Sequence, residues 1–212
     1  MSRDGIEGVF IEPKTIISQE PKSNFNDFYY FKKAFTDEMI EKTHAMIYEN
    51  RYNFKKGKTG YGDNTDTSRT NNRDIAYVPF TDHSEWIYKV LSEMVFEANK
   101  NLFHFDIDMV TDPLHYVVYP TESGHLDWHM DIGKGFVNHR KIATTVQLSD
   151  PNDYEGGDFQ CWYGGQNSFI NLPREKGDVL MFPSFFMHRV TPIRSGERKA
   201  LVFWTGSNKP FR

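Results

Sequence analysis

Two stretches of the chain repeat apolar residues at helical spacing. From Thr36, TDEMIEKTHAMIYEN turns Met39, Ile40, Ala45, Met46 and Ile47 toward one side, with Thr36 as N-cap and acidic residues in the first turn. From Ser84, SEWIYKVLSEMVFEANKNLF sets Trp86, Ile87, Val90, Leu91, Met94 and Val95 in one stripe over several turns. Both predict helices that pack on a large apolar surface. Between them, residues 51–73 show no apolar period and are rich in Gly, Asn, Thr and basic residues, which predicts a long loop. There Arg51, Lys55, Lys56, Lys58, Arg69 and Arg73 oppose Asp63 and Asp66, a local balance of +4. A loop of this length inside a compact domain reads either as a solvated connection or as a lid over a binding site.

After residue 106 the pattern changes to short strands and turns. Strands are predicted at 113–119, 125–130, 141–149, 158–163, 167–172, 178–182, 186–192 and 199–205. Turn signals separate them: PTESG, DPNDYEGG, GG, PREKG, PS and RSGE. Regularly spaced short strands of this kind form a sandwich or barrel. The expected architecture is α+β, mainly β, with a helical N-terminal layer (1–105) packed on one sheet of a β-rich core (106–206), all within one domain over 1–212.

Composition narrows the function. A length of 212 residues suffices for one domain with a real core, and 16% aromatic content marks a globular chain. The net charge of -4 argues against general affinity for nucleic acid or an anionic membrane. The single cysteine, Cys161, suits a reducing compartment. The opening MSRDGIEGVFIEPK lacks the apolar core of a secretory signal, and no run of ~18 apolar residues suggests a membrane span. A cytoplasmic location is expected.

The candidate chemistry lies in GHLDWHMDIG, residues 124–133, where His125-Leu-Asp127 and His129-Met-Asp131 overlap. His-x-Asp offers an imidazole and a carboxylate to one metal ion. Simple strand alternation puts 125, 127, 129 and 131 on one face, so face alone does not choose between the triplets. Position does: His125 follows a turn, whereas His129 and Asp131 lie at the far end of the strand, where a barrel mouth leaves room for water and substrate. His129 and Asp131 are therefore favoured, with His125 exposed or outside the ligand set. A third triplet, His104-Phe-Asp106, falls at a helix terminus, and His139 falls in a polar loop; neither is expected to bind metal. His188, in FPSFFMHRVTP, reads either as a core histidine or as a third ligand. Two histidines and one carboxylate form the facial triad of non-haem Fe(II), with positions left for a co-substrate and dioxygen. Arg198 follows His188 by ten residues; alone it reads as a turn-flanking surface residue, but its fork also suits the far carboxylate of a dicarboxylate.

Taken together, HMD and HRVTPIRSGER resemble the 2-oxoglutarate and Fe(II)-dependent dioxygenases, specifically the prolyl 4-hydroxylase-like branch. DYEGGDF at 153–159 and PREKGDVLMFPS at 173–184 resemble two further motifs of that family, and Tyr119 stands ten residues before His129, where the family often has a tyrosine on the co-substrate carboxylate. The resemblance implies a double-stranded β-helix (a jelly-roll, cupin-like fold), with Fe(II) on His129, Asp131 and His188. It implies 2-oxoglutarate held by Arg198 and Tyr119, dioxygen as oxidant and ascorbate as an accompanying reductant. The tyrosine spacing fits His129 rather than His125. Where some members carry a second polar anchor this chain has Ala200, so Gln147 or Thr145 is expected to assist Arg198. TSRTNNRDIAYVP, at 67–79, resembles the segment after a mobile substrate loop and offers Arg69 and Tyr77 as substrate contacts. The implied reaction is hydroxylation of a C–H bond, coupled to conversion of 2-oxoglutarate to succinate and CO2, on a peptide or protein. The alternatives are the same chemistry on a free amino acid or other small molecule, and a metal-free β-sandwich binding module.

Overall fold

The computed structural model describes residues 28–57, 71–121, 123–165 and 168–211. Its first half runs β1 (Tyr29–Phe31), α1 (Asp37–Glu49), β2 (Phe54–Lys56), β3 (Asn71–Asn72), β4 (Asp74–Val78), α2 (Glu85–Ala98), β5 (Met109–Val110) and β6 (Leu114–Tyr119). Then come β7 (His125–His129), β8 (Arg140–Gln147), β9 (Tyr154–Gly156), β10 (Phe159–Trp162) and β11 (Phe169–Asn171). The chain closes with β12 (Val179–Pro183), β13 (His188–Val190), β14 (Ile193–Gly196) and β15 (Arg198–Gly206).

Both helices form where their apolar spacing predicts. Thr36 caps α1, its Oγ1 accepting from the Met39 N–H at 3.2 Å, and Asn50 closes the other end by donating from Nδ2 to the Met46 carbonyl at 2.8 Å. Ser84 starts α2 differently: its Oγ donates to the Pro79 carbonyl and accepts from the Thr81 N–H, so it fixes the preceding turn rather than the helix N-terminus. The Tyr88 hydroxyl donates to the Val78 carbonyl at 2.7 Å and accepts from the Leu114 N–H at 2.8 Å, which pins α2 to β4 and β6. A π-helical turn, Asn99–Phe103, ends α2, and His104 in a left-handed conformation (φ 54°) stops it. Among the described residues, no helix is long and apolar enough to cross a membrane.

The strands, among the described residues, form an eight-stranded sheet ordered β1-β12-β8-β15-β6-β4-β2, with β5 also on β15. A five-stranded sheet runs β11-β10-β13-β7-β3, and β9 and β14 form a separate pair. One apolar cluster joins the helices to the large sheet, including Ile40, Ile47, Ile87, Leu91, Leu114, Leu201 and Phe203. A second lies between the sheets, including Val117, Leu126, Phe159, Leu180, Phe182 and Val190. Each fully buried aliphatic chain contributes about 1.5–3 kcal/mol, so the helical layer is a main support of the large sheet. This is the expected mainly β architecture, with helices on one sheet and a two-sheet core.

The sequence pattern misses several short strands. The segment read as one loop, 51–73, has strands at both ends: β2 pairs with β4, and β3 pairs with β7. Residues 58–70, and with them Arg69, lie outside the described residues. β9 and β14 fell within turn signals. Their meeting explains the double glycine: a Cβ on Gly156 would come within 2.1 Å of the Pro192 carbonyl oxygen, and both Gly156 and Gly157 have positive φ.

Candidate metal centre

Strand β7 delivers the metal-ligating candidates through an irregularity that alternation does not foresee. Leu126 opposes Val190 and His129 opposes His188, so three steps along β7 match two along β13. This bulge re-aims the strand. Leu126 and His129 both face the interior, and the simple expectation that 125, 127, 129 and 131 share one face fails for that reason. His125 instead sits opposite Asn72 in β3, its Nδ1 donating to the Ser123 carbonyl at 2.6 Å. Asp131 lies just past the strand, where its N–H donates to the Ser184 carbonyl at 2.9 Å and its own carbonyl accepts from Arg140 Nη1 at 3.2 Å.

His129, Asp131 and His188 thereby converge, with their candidate ligand atoms all within 4.8 Å of one another. Asp131 lies between the rings, Oδ1 3.5 Å from His129 Nε2 and Oδ2 3.6 Å from His188 Nε2. Each Nδ1 contacts a carbonyl two residues earlier, Asp127 for His129 and Phe186 for His188, both at 2.8 Å. A carbonyl only accepts, so Nδ1 carries a proton in both rings and Nε2 is left as the ligand atom. Burial, helped by the neighbouring His129, pushes His188 down to about 4, which keeps the ring neutral at physiological pH. Burial alone would raise Asp131; His188, His129 and Arg140 outweigh it and hold the carboxyl below the usual carboxylate range. Two imidazole nitrogens and one hard anionic oxygen are the donor set that a non-haem Fe(II) site requires.

Deeper between the sheets, a cavity bordered by His129, Asp131 and His188 reaches Tyr119, Thr145 and Arg198. Arg198 and Tyr119 are cross-strand partners on β15 and β6, and the guanidinium lies 5.0 Å from the phenol ring. Arg198 is 1% exposed. Its Nη2 donates to Gln147 Oε1 at 2.5 Å, while its Nε has no hydrogen-bond partner among the described residues. Among the described residues no carboxylate pairs with it, a costly state for a buried cation. Gln147 was anticipated beside it; Thr145 borders the same cavity.

On the open side of the triad, a vestibule of about 360 Å³ is lined by Tyr77, His115, Asp112, Arg140 and Trp204 as well as His129 and Asp131. Tyr77 is 39% exposed there. Sequence reasoning missed Asp112, His115 and Arg140. Arg140 donates through Nε and Nη2 to both oxygens of Asp112 and stacks 3.9 Å over Trp204. Its donation to the Asp131 carbonyl makes this ion pair part of the ligand loop's support. The pair joins residues 28 positions apart, so only the pairing of strands could have shown it.

Residues 114–206 match the model of the 2OG-Fe(II) oxygenase superfamily. Over these residues, less than half of its length, the chain is similar to that superfamily. The matched segment runs from β6 to the end of β15 and contains all three metal-ligating candidates, Tyr119 and Arg198. The PKHD-type hydroxylase PiuC of Pseudomonas aeruginosa is 35% identical over 95 residues, covering 41% of this chain and 40% of that protein. The chain thus spans about two fifths of the length of the curated relatives it matches. In fold, the chain is similar to a prolyl hydroxylase from Trichoplax adhaerens solved with a hypoxia inducible factor oxygen degradation domain peptide fragment. That likeness has a TM-score of 0.69 at 16% identity, over 87% of this chain and 85% of that one. It is also similar to a Pseudomonas putida prolyl-4-hydroxylase, with a TM-score of 0.65 at 13% identity over 86% of this chain and 94% of that one. The superfamily's Fe(II) and 2-oxoglutarate fit the residues present: the triad could supply the donors, and the buried cation of Arg198 has no carboxylate partner among the described residues.

Proposed function

We propose that the protein is an Fe(II)- and 2-oxoglutarate-dependent dioxygenase that hydroxylates a C–H bond of a peptide or protein, in the manner of a prolyl 4-hydroxylase. The observation that carries this reading is the pairing of the His129–Asp131–His188 cluster with a fully buried Arg198 that no carboxylate among the described residues neutralises. When bound, Fe(II) and 2-oxoglutarate supply the oxidising chemistry, with dioxygen as oxidant and succinate and CO2 as co-products.

The chain's own residues bind and orient. His129 and His188 present Nε2 because backbone carbonyls hold their Nδ1 protons. Asp131 contributes the anionic oxygen, and Arg140 and Ser184 fix its peptide from both sides. Arg198 would hold the far carboxylate of 2-oxoglutarate, with Gln147 aiming the guanidinium and the Tyr119 hydroxyl available as a second donor to that carboxylate. The close-packed walls between the sheets, Leu126, Phe159, Phe182 and Val190, keep water from that end. Tyr77 contacts substrate at the vestibule, and Arg69 is a second candidate contact.

Two features favour a polypeptide over a free amino acid. The vestibule's Arg140 is already forked onto Asp112, so it is not offered to a free α-carboxylate. Past Met130 the vestibule continues into an apolar groove lined by Trp162, Tyr163, Phe185, Phe186 and Met187, which suits side chains flanking a reacting residue. The test is incubation with Fe(II), 2-oxoglutarate and, separately, a peptide pool and an amino-acid pool, followed by mass spectrometry. Gain of one oxygen atom in peptides is the expected result; oxygen gained only by free amino acids overturns the substrate assignment.

A further inference from the structure

His115 is the polar group in the vestibule that the proposed reaction leaves unused. It lies on β6 directly opposite Tyr77 of β4 and Val202 of β15. Its imidazole is clamped edge-on between two rings, Tyr77 at 4.7 Å and 83° and Trp204 at 4.8 Å and 78°. This clamp fixes the ring plane without using either nitrogen, and neither has a hydrogen-bond partner among the described residues. The same vestibule contains His129 and Asp131, so the imidazole opens onto the space where a substrate meets the metal centre.

The surrounding polar groups are otherwise engaged. Asp112 and Arg140 satisfy each other, Arg140 also holds the Asp131 carbonyl, and Arg73 has partners of its own. Burial, with Arg73 and Arg140 adding to it, pushes His115 down to about 3, so the ring stays neutral. A neutral imidazole offers one N–H donor and one acceptor nitrogen, the complement of an amide. It offers no charge to a carboxylate or an ammonium group.

Resting on the hydroxylase reading above, we propose that His115 is a specificity-determining residue that hydrogen-bonds an amide group of a polypeptide substrate beside the metal centre. The test uses the full chain with Fe(II) and 2-oxoglutarate, and a set of short acetylated, amidated, proline-containing peptides as probe. His115→Phe keeps a flat ring between Tyr77 and Trp204 but removes both nitrogens; His115→Gln restores a donor and an acceptor without the ring. The wild type is expected to add oxygen to a subset of the peptides. In His115→Phe, KM for those peptides should rise roughly tenfold or more, the worth of one lost hydrogen bond, with a smaller change in kcat. His115→Gln should recover part of that loss. The visible absorbance that develops when 2-oxoglutarate joins the Fe(II) protein should keep its amplitude in both variants. Equal peptide KM values in wild type and His115→Phe overturn the proposal, and so does loss of the absorbance, which would make His115 a structural residue. A wild type that modifies none of the peptides, yet still converts 2-oxoglutarate to succinate without them, overturns the amide assignment and leaves the oxygenase reading standing. A wild type that binds neither Fe(II) nor 2-oxoglutarate removes that reading and this inference together.

Discussion

On the face of the eight-stranded sheet turned toward α1 and α2, Tyr116, Val146, Met181, Leu201 and Phe203 are buried among other apolar side chains. On the opposite face Tyr119, Thr145, Gln147 and Arg198 are also buried, beside a cluster of two imidazoles and a carboxylate. The first face gains free energy from every side chain it covers. The second spends some of it, since a buried cation and partly satisfied polar atoms are unfavourable without a ligand. The difference separates a half of the core that holds the fold from a half whose polar groups are suited to a ligand. Substitutions should therefore split cleanly: on the helix face they cost stability, and on the inner face they cost binding.

The largest effect on binding is expected at the triad. His129→Ala or His188→Ala should abolish stoichiometric Fe(II) binding, measured by anaerobic titration, and with it succinate formation. On the other face, Phe203→Ala should lower unfolding free energy by about 3–5 kcal/mol in denaturant titrations. Its remaining folded fraction should still bind one equivalent of Fe(II). Loss of iron from folded Phe203→Ala protein would break the division between the faces.

Arg198 sharpens the contrast because the two faces predict opposite signs. Arg198→Met removes a buried charge of similar length and leaves an apolar side chain between the sheets. Metal-free protein should be at least as stable as the wild type, by up to ~2 kcal/mol. The 2-oxoglutarate concentration required for half-maximal succinate formation should nevertheless rise on the order of 100-fold, the scale of losing one buried charge-assisted contact. A stability loss with an unchanged co-substrate requirement would assign Arg198 to the fold instead.

The pH dependence tests the inner face as a whole. His188 and His115 are held at about 4 and about 3, well below the ordinary histidine value near 6.5. Between those limits the unfolded chain binds protons that the folded chain refuses. Stability of metal-free protein should therefore fall as pH drops from about 6.5 toward 4, by up to about 1.4 kcal/mol per pH unit for each imidazole. Thermal unfolding between pH 7 and 4.5 would show it, and His115→Phe should remove roughly half of the slope.

The contrast also governs how much could be read from the sequence. Helical periodicity located α1 and α2 because their stripes are long and uninterrupted, and the Thr36 cap was visible in its local context. Turn residues located the principal strands of the C-terminal half. β4 was missed although Ile75 and Tyr77 alternate with Ala76 and Val78, because five residues beside a loop carry too few periods to stand out. Gln147 was within reach, since Ala200 left Arg198 short of a polar neighbour. Asp112, His115 and Arg140 were not. Their significance comes from the vestibule, which β4, β6, β8 and β15 create only when they pair. The bulge in β7 was also invisible, because an extra residue in one strand is defined by the partner strand.

That bulge carries the smallest predicted effect. The two overlapping triplets, His125-x-Asp127 and His129-x-Asp131, are equivalent as sequence, and regular pleating would present them side by side. The extra residue turns His129 inward beside His188 and leaves His125 against β3, where its Nδ1 contacts the Ser123 carbonyl. His125→Ala should therefore keep full Fe(II) stoichiometry and most succinate formation, with a stability change of about 1 kcal/mol or less. Asp127 belongs to the same comparison: its carbonyl orients His129, while its carboxylate bonds the Trp128 N–H next in the chain. Asp127→Asn should then leave iron binding intact, because the backbone carbonyl survives the substitution. Equal loss of iron from His125→Ala and His129→Ala would mean that the strand is regular in solution and that the bulge does not select between the triplets.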